Sequence, residues 1–542
     1  MAIAIAESAD TPARLIRRLV RAARDAPDAA AGLVAVICAD PSTYLPLALS
    51  LAHAGVGVLD SALAEAIRGT DLSYEEWIVL EEIPPRGTGI LPHAALAAAE
   101  QCRQRADSSV HIATALSAVE VRLSGVGRYR DALAASDEAV ILWRELEAAD
   151  SATHTADLAK ALRTRGFVLS GVGRYRDALT ASDEAVILWR ELEAADSATH
   201  TADLAKALRT RGIALSVVGG RLDALAAVEE AVSLWRELVV MDPAAHTPDL
   251  ATALSTLGGS LAEVGRRQDA LAAVEEAVSL WRELEVMDPA AHAPDLATAL
   301  SNLGVLLADL ARNRDALAAA NEAVGFRREL EAADPAVHTA DLAAALVNLG
   351  SILARLGRNQ DALAAARESI GLLRVVAAID PAVHTHALAK ALLNSGNPLG
   401  GLRQSGKALT VTEEAVGLLR ALVAEEPAAY TADLSRSLVN LGIQLSEVGR
   451  RREGLAANEE GVALLRKLAA DEPAAHNPYL AAALIHLADR FYDVGQREEA
   501  AAAAEESVAL FVRLHSDLPQ VYVDELAASR HLLDSLTPKP FK

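Results

Sequence analysis

The stretch Gly173-Arg174-Tyr175-Arg176-Asp177-Ala178-Leu179 decides how this chain is read. Its pattern, Gly-Arg-x-x-Asp-Ala-Leu, returns along the sequence. The alanine falls at Ala132, Ala178, Ala224, Ala270, Ala316, Ala362 and Ala408, and the slot continues as Gly454 and Ala500. Each step is 46 residues, so nine units account for 414 of the 542 residues, from 108 to 521. A fixed period of this size is the signature of stacked supersecondary units, none of which can bury its apolar face alone. Two units are near copies: 124–166 and 170–212 differ only at Ala134/Thr180.

Each unit holds two helical patterns. In the fifth, Leu296, Leu300, Leu303 and Leu307 recur at spacings of three and four, which puts one apolar stripe on a helix starting near Pro294. A turn follows at Arg312-Asn313. A second stripe, Ala316, Leu317, Ala320, Ala323 and Val324, ends before Asp334-Pro335, where proline cannot continue a helix. Thr247-Pro248 reads as an N-cap followed by proline at the first helical position, with Asp249 at the positive helix end. Thr155/Asp157, Thr201/Asp203, Thr339/Asp341 and Thr431/Asp433 repeat the signal. Gly304 and its equivalents Gly166, Gly212, Gly258, Gly350, Gly396 and Gly442 face the alanines of the second helix and predict close backbone approach. Asn397-Pro398 in the seventh unit predicts a kink or break.

Leu-x-x-Leu-Gly-x-x-Leu followed by the paired alanines and a later proline resembles the tetratricopeptide repeat, whose common unit is about 34 residues. The 46-residue period resembles the kinesin-light-chain-like branch, and the alanine-rich style resembles actinobacterial arrays. The resemblance covers nearly four fifths of the chain. It implies an all-α, right-handed superhelical solenoid of antiparallel hairpins, with a longer second helix and a longer connection than usual. It also implies a non-enzymatic scaffold that binds protein or peptide ligands.

Composition narrows the alternatives. Lys+Arg number 51 and Asp+Glu 74, a net charge of −23, which argues against a nucleic-acid surface. Aromatics are 3% and apolar residues 52%, so the core is small and aliphatic, which favours helix over sheet. Two cysteines, Cys38 and Cys102, exclude a disulfide framework and a cysteine-built zinc site. The N-terminus lacks a signal-peptide pattern, and the 41–59 stretch, interrupted by Pro46 and Gly55, is a poor membrane span. A cytoplasmic protein is expected. Residues 1–107 fall outside the period and read as an irregular helical region, with helices near 12–25, 29–39, 43–54, 57–68, 73–82 and 93–107. Residues 522–542 read as a capping helix, from Asp524 to Leu536, and a short tail.

No catalytic constellation emerges, and neither a metal nor a cofactor is expected. Gly401–Ala408 fits Gly-x-x-x-x-Gly-Lys, but Ala408 replaces the Ser/Thr that a phosphate loop needs, and the segment falls at a repeat turn. His154, His200, His246, His292, His338, His384 and His476 recur once per unit, a ladder rather than a converging metal set; they read as loop histidines ahead of the helix. Trp143, Trp189, Trp235 and Trp281 read as core between units. Arg14, Arg17, Arg18 and Arg21 form a basic helix face. Paired acids such as Glu229/Glu230 and Glu275/Glu276 read as solvated.

The richest face is the one opposite the leucine stripe of the first helices, where Thr298, Ser301, Val305 and Ala308 point away from the core. Its counterparts in earlier units are Lys160, Arg163 and Phe167, then Lys206, Arg209 and Ile213. Four cations on an acidic chain point to a basic pocket for a carboxylate or acidic peptide. Asn302, Asn348, Asn394 and Asn440 flank the same face. By resemblance, asparagine ahead of Leu-Gly grips the backbone of a bound peptide in kinesin-light-chain-like repeats; Asn394, before Ser395, departs from that pattern. The expected function is a peptide-binding scaffold acting through this groove. The alternatives are a sensor partner of a nucleotide-switch ATPase or protease system, and a self-assembling structural protein.

Overall fold

In a computed structural model, residues 30–41, 43–45, 57–70, 92–125 and 128–536 are described, apart from 334 and 380, together with the single positions 19 and 48. Helices α1 (Ala30–Ala39), α2 (Gly57–Arg68) and α3 (Pro92–Arg105) precede the array. From α4 (Ser109–Gly125) onward, first and second helices alternate. The second helices are α5 (Tyr129–Ala149), α7 (Tyr175–Ala195), α9 (Arg221–Met241), α11 (Arg267–Met287), α13 (Asn313–Ala333), α15 (Asn359–Ile379), α17 (Ser405–Glu425), α19 (Arg451–Asp471) and α21 (Arg497–Asp517). The first helices between them are α6 (Ser151–Gly171), α8 (Ser197–Val217), α10 (Pro243–Glu263), α12 (Pro289–Asp309), α14 (Pro335–Arg355), α16 (Pro381–Gly401), α18 (Pro427–Glu447) and α20 (Pro473–Asp493). A last helix, α22 (Pro519–Leu536), closes the series. Each helix packs on its chain neighbours, which makes an all-α solenoid of helix hairpins.

From α5 to α21 every helix has 21 residues; the period is filled by two such helices, a three-residue turn and one residue between units. This corrects the expected long connection: both helices are extended and the linker is minimal. The first helices also begin five residues earlier than Thr-Pro implied. Asp242 and Asp288 are the N-caps, accepting from Ala245 N at 3.1 Å and Ala291 N at 3.2 Å, with Pro243 and Pro289 opening the helix. Asp-Pro wins for a physical reason. Proline at the first helical position has no N–H to lose and holds the preceding residue extended, where aspartate caps well. Pro248 and Pro294 sit inside their helices. Thr247 is helical too, its Oγ1 donating to Pro243 O at 2.6 Å, as Thr155, Thr339 and Thr431 do four residues back.

Each hairpin turn from 172–174 onward is a Schellman motif. Arg174 N donates to Leu169 O at 2.9 Å and Gly173 N to Ser170 O at 3.2 Å, with Gly173 left-handed at φ +77°. Ala311 (φ +58°) and Arg403 (φ +57°) hold the same place without being glycine. α16 runs unbroken through Pro398 to Gly401. The phosphate-loop lookalike is therefore the end of α16, a turn and the start of α17.

Packing within a hairpin is set by the glycine row. A Cβ at Gly166 would lie 2.5 Å from Ser182 Oγ, at Gly212 2.4 Å from Val228 Cγ2, and at Gly258 2.3 Å from Val274 Cγ2. The tryptophans are core: Trp189 and Trp235 are among the largest fully buried side chains. The histidines are not in loops but in the first turn of the first helices. His154, His200, His246 and His292 each pack on the tryptophan before them, rings 5.8 Å apart. Arg327 fills the next tryptophan slot, buried, donating to Asp341 and to Thr298 Oγ1.

The outer face carries a ladder the sequence reading took for solvated acids. Arg144–Glu184, Arg190–Glu230, Arg236–Glu276, Arg282–Glu322, Arg328–Glu368, Arg374–Glu414, Arg420–Glu460 and Arg466–Glu506 pair along successive second helices. Each rung is exposed and worth little alone.

The coil also meets itself. Arg130 pairs with Glu426, Arg176 with Glu472 at 3.2 Å, and Arg221 donates to the Tyr522 hydroxyl. Gly173 and Gly219 abut Ala429 and Ala474, about five and a half units further on. α2 touches α14 at a similar offset. Successive superhelical turns therefore share a seam. The helices expected near 12–25 and 73–82, most of 43–54, the Arg14–Arg21 face and the tail after 536 lie outside the described residues.

Candidate ligand-binding groove

A cavity of about 390 Å³ opens where α3 meets the first hairpins. Cys102 from α3, Ala115, Ser117, Ala118, Val121 and Arg122 from α4, and Trp143 from α5 form one wall. Asp157, Lys160, Arg163 and Thr164 from α6, with Asp203 and Lys206 from α8, form the other. Trp143 is fixed there by donating Nε1–H to Ser117 Oγ at 3.3 Å.

Three of the four cations expected on this face thus converge on one cavity. Lys160 is exposed, and Arg163, Lys206 and Arg209 are half-buried. Lys206 lies 3.7 Å from Asp249 and 5.7 Å from the Trp235 ring centroid. Among the described residues, Lys160, Arg163 and Arg209 have no ion-pair partner within 4 Å, and the buried Nε of Arg163 has no hydrogen-bond partner. Burial draws the Arg163 pKa down, while Asp203, Glu120 and Asp249 push it back up. Burial likewise lowers that of Arg209, which stands beside Arg163 without lining the cavity. By contrast, Arg165 and Arg211 turn to the second helices, held by Asp137 at 2.8 Å and Asp183 at 2.5 Å.

The asparagines are not brought to this cavity; they belong to α12, α14, α16 and α18. Asn302, Asn394 and Asn440 are exposed and Asn348 half-buried. Among the described residues, no hydrogen bond reaches these four side chains. They occupy the repeat position that is Ala118 in α4 and Thr164 in α6, both cavity-lining. Three positions on, Val121, Phe167, Ile213 and Val305 form an exposed apolar row, 37–50% accessible. Ala308, expected beside Val305, is instead buried. Further along the face, Arg436 pairs with Asp433 and covers Tyr479, and His386 bonds Asp433 at 2.5 Å. Although burial works against it, His386 and Arg436 hold Asp433 well below the usual carboxylate range.

One buried group escaped the sequence reading. Glu120 stands where later units have Gly166, Gly212, Gly258 and Gly304. It is 0% exposed, and neither carboxylate oxygen has a hydrogen-bond partner among the described residues. Burial pushes its pKa up to about 8, against the pull of Ser136, Arg163 and Arg165. Aligning the units at period 46 shows the exception, but nothing local marks it.

No group of histidine, cysteine and acidic side chains among the described residues could hold a metal ion. No helix among them is long and apolar enough to cross a membrane.

Family comparison agrees with this geometry. The tetratricopeptide repeat model matches residues 250–285 and 342–377. Those two stretches of the array are similar to tetratricopeptide repeats. The model for anaphase-promoting complex subunit 5 matches residues 286–336 and 424–521 of the same repeat array. No curated protein matches the sequence. Among solved structures, a Rap protein complexed with competence and sporulation factor is 15% identical, covering 76% of this chain and 99% of its own, at TM-score 0.47. Aspartyl phosphate phosphatase F from Bacillus subtilis is 14% identical, covering 74% and 94%, at TM-score 0.44. The nearly identical repeats of a Podospora anserina putative kinesin light chain are 16% identical, covering 41% and 98%, at TM-score 0.33. Tetratricopeptide repeats commonly build protein-interaction scaffolds.

Proposed function

We propose that this tetratricopeptide array binds an extended protein segment along its first-helix face. The observation that carries the reading is the row Asn302, Asn348, Asn394 and Asn440, whose amides have no hydrogen-bond partner among the described residues and share a repeat position with cavity-lining residues. An asparagine side chain offers a donor and an acceptor at once, which suits an unpaired peptide backbone. Exposed Val305 supplies apolar contact area one turn from Asn302, and Phe167 and Ile213 supply it in the earlier units. Lys160, Arg163, Lys206 and Arg209 give one end of the groove a preference for an acidic or carboxylate-bearing segment.

Selection of displayed random peptides on the full chain tests this. Recovered peptides are expected to be enriched in Asp and Glu and to bind more weakly as salt rises from 50 to 300 mM. Enrichment without acidic bias, or binding indifferent to salt, contradicts the charge assignment.

A further inference from the structure

The cavity between α3, α4 and α6 has more charge structure than peptide selection requires. Its lining sets Arg122, Lys160, Arg163 and Lys206 against Asp157 and Asp203, an excess of two positive charges. The wall that carries Arg122 is otherwise mainly apolar, with Trp143, Ala115, Ala118 and Val121. That combination fits a dianionic head on a small apolar body. A guanidinium fork takes two oxygens of such a head, and lysines add point charge. A cavity of about 390 Å³ is the size of a small-molecule site.

Behind the cavity, Glu120 is sealed from solvent and faces Arg163 and Arg165 of α6 and Asp137 of α5, with Cys102 of α3 on the cavity wall. Arg165 is occupied by Asp137, whereas Arg163 has no close partner among the described residues. Arg163 itself faces Asp203, Asp249 and Arg209 besides Glu120. Two anions can therefore claim one guanidinium: a ligand from the cavity side and Glu120 from the core side.

We propose that this cavity binds a phosphate monoester, with Arg163 as the fork, Lys160 and Lys206 flanking it, and Glu120 as a built-in competitor. While Glu120 keeps its proton, Arg163 is available to the ligand. Once Glu120 ionises, it pairs with Arg163 and the ligand is disfavoured; the ligand in turn favours the protonated carboxyl, by reciprocity. The proposal rests on the reading that the cations of this face meet a ligand, but not on the asparagine row.

The test is calorimetric titration of the full chain with phenyl phosphate at pH 7 and pH 9. The second phosphate pKa is about 6, so the probe stays dianionic throughout. With Glu120 titrating at about 8 and only its protonated form competent, affinity is expected to fall about tenfold from pH 7 to 9. In Glu120→Gln, a neutral near-isostere, affinity should hold at both pH values; an undiminished fall overturns the competitor role. Arg163→Gln should weaken binding at pH 7 at least tenfold. Lys160→Ala, at an exposed position that folding does not depend on, should weaken it several-fold. Wild-type affinity in both variants overturns the site, and benzoate binding as tightly as phenyl phosphate overturns the dianion. Asn302→Ala/Asn348→Ala/Asn440→Ala should bind phenyl phosphate normally. If peptide binding fails and phenyl phosphate binding holds, the cavity stands without the groove; if that variant also loses phenyl phosphate, the assignment to this cavity falls.

Discussion

Gly173 lies against Ala429, 256 residues further along the chain: a Cβ on Gly173 would stand 2.5 Å from the Ala429 Cα. The contact joins two superhelical turns, so Gly173 serves both its own hairpin and the seam. Gly357 has the same left-handed backbone, φ +72°, with open space around it. Gly357→Ala should cost about 1 kcal/mol, the penalty of a left-handed residue with a Cβ. Gly173→Ala should cost more and increase the radius of gyration in small-angle scattering, whereas Gly357→Ala should leave it unchanged.

The opposite change is expected at the two positions where the turn lacks its glycine. Ala311→Gly and Arg403→Gly relieve a left-handed Cβ at a Schellman turn. Each should raise stability by about 0.5–1 kcal/mol in denaturant titration, after the added chain entropy of glycine is subtracted.

Ser395 stands where other units have Leu303, Leu349 and Leu441, and lines a largely apolar cavity of about 260 Å³ with Leu363, Ile370 and Leu399. Ser395→Leu should fill part of it and stabilise the protein by about 1 kcal/mol, read as a higher denaturation midpoint. A lower midpoint would show that α15 and α17 cannot accommodate the leucine.

Glu120 makes stability depend on pH. Its folded pKa of about 8 lies above the roughly 4.3 of an unfolded glutamate, so the folded chain holds the extra proton between those values. Stability is then greatest below about pH 4.3 for this group and is lost progressively as pH rises through 8. The loss amounts to a few kcal/mol, of the order of 1.4 per pKa unit. Hydrogen exchange of α4 and α5 should quicken between pH 5 and 8 beyond its intrinsic rise in the wild type, and this excess should vanish in Glu120→Gln.

Much of this was legible beforehand because a repeat prints its own contacts many times. The apolar stripes, the glycine row and the buried tryptophans follow from spacing alone, since each side chain meets a neighbour within one or two helices. Helix starts were misread because Thr-Pro and Asp-Pro compete locally, and only the structure shows that Pro243 and Pro289 open the helices while Pro248 and Pro294 lie inside. The Arg144–Glu184 ladder was hidden because a 40-residue separation becomes a contact only once adjacent second helices are in register. The seam between Gly173 and Ala429 leaves no local signal, because superhelical pitch is the sum of many small inter-unit rotations. On the groove face, Lys160, Arg163 and Lys206 were found by phase, and Glu120 was missed because it sits at the buried position that later units give to glycine.

The central claim is that ligand contact runs along the first-helix face through the asparagine row. The most direct measurement is the affinity of a peptide selected on the wild type for the Asn302→Ala/Asn348→Ala/Asn440→Ala protein, with helicity checked by circular dichroism. All three positions are at or near the surface, so the fold should persist. The account predicts binding at least tenfold weaker at unchanged helicity. Equal affinity for both proteins would contradict it and move the interaction to the outer face or to residues 1–107.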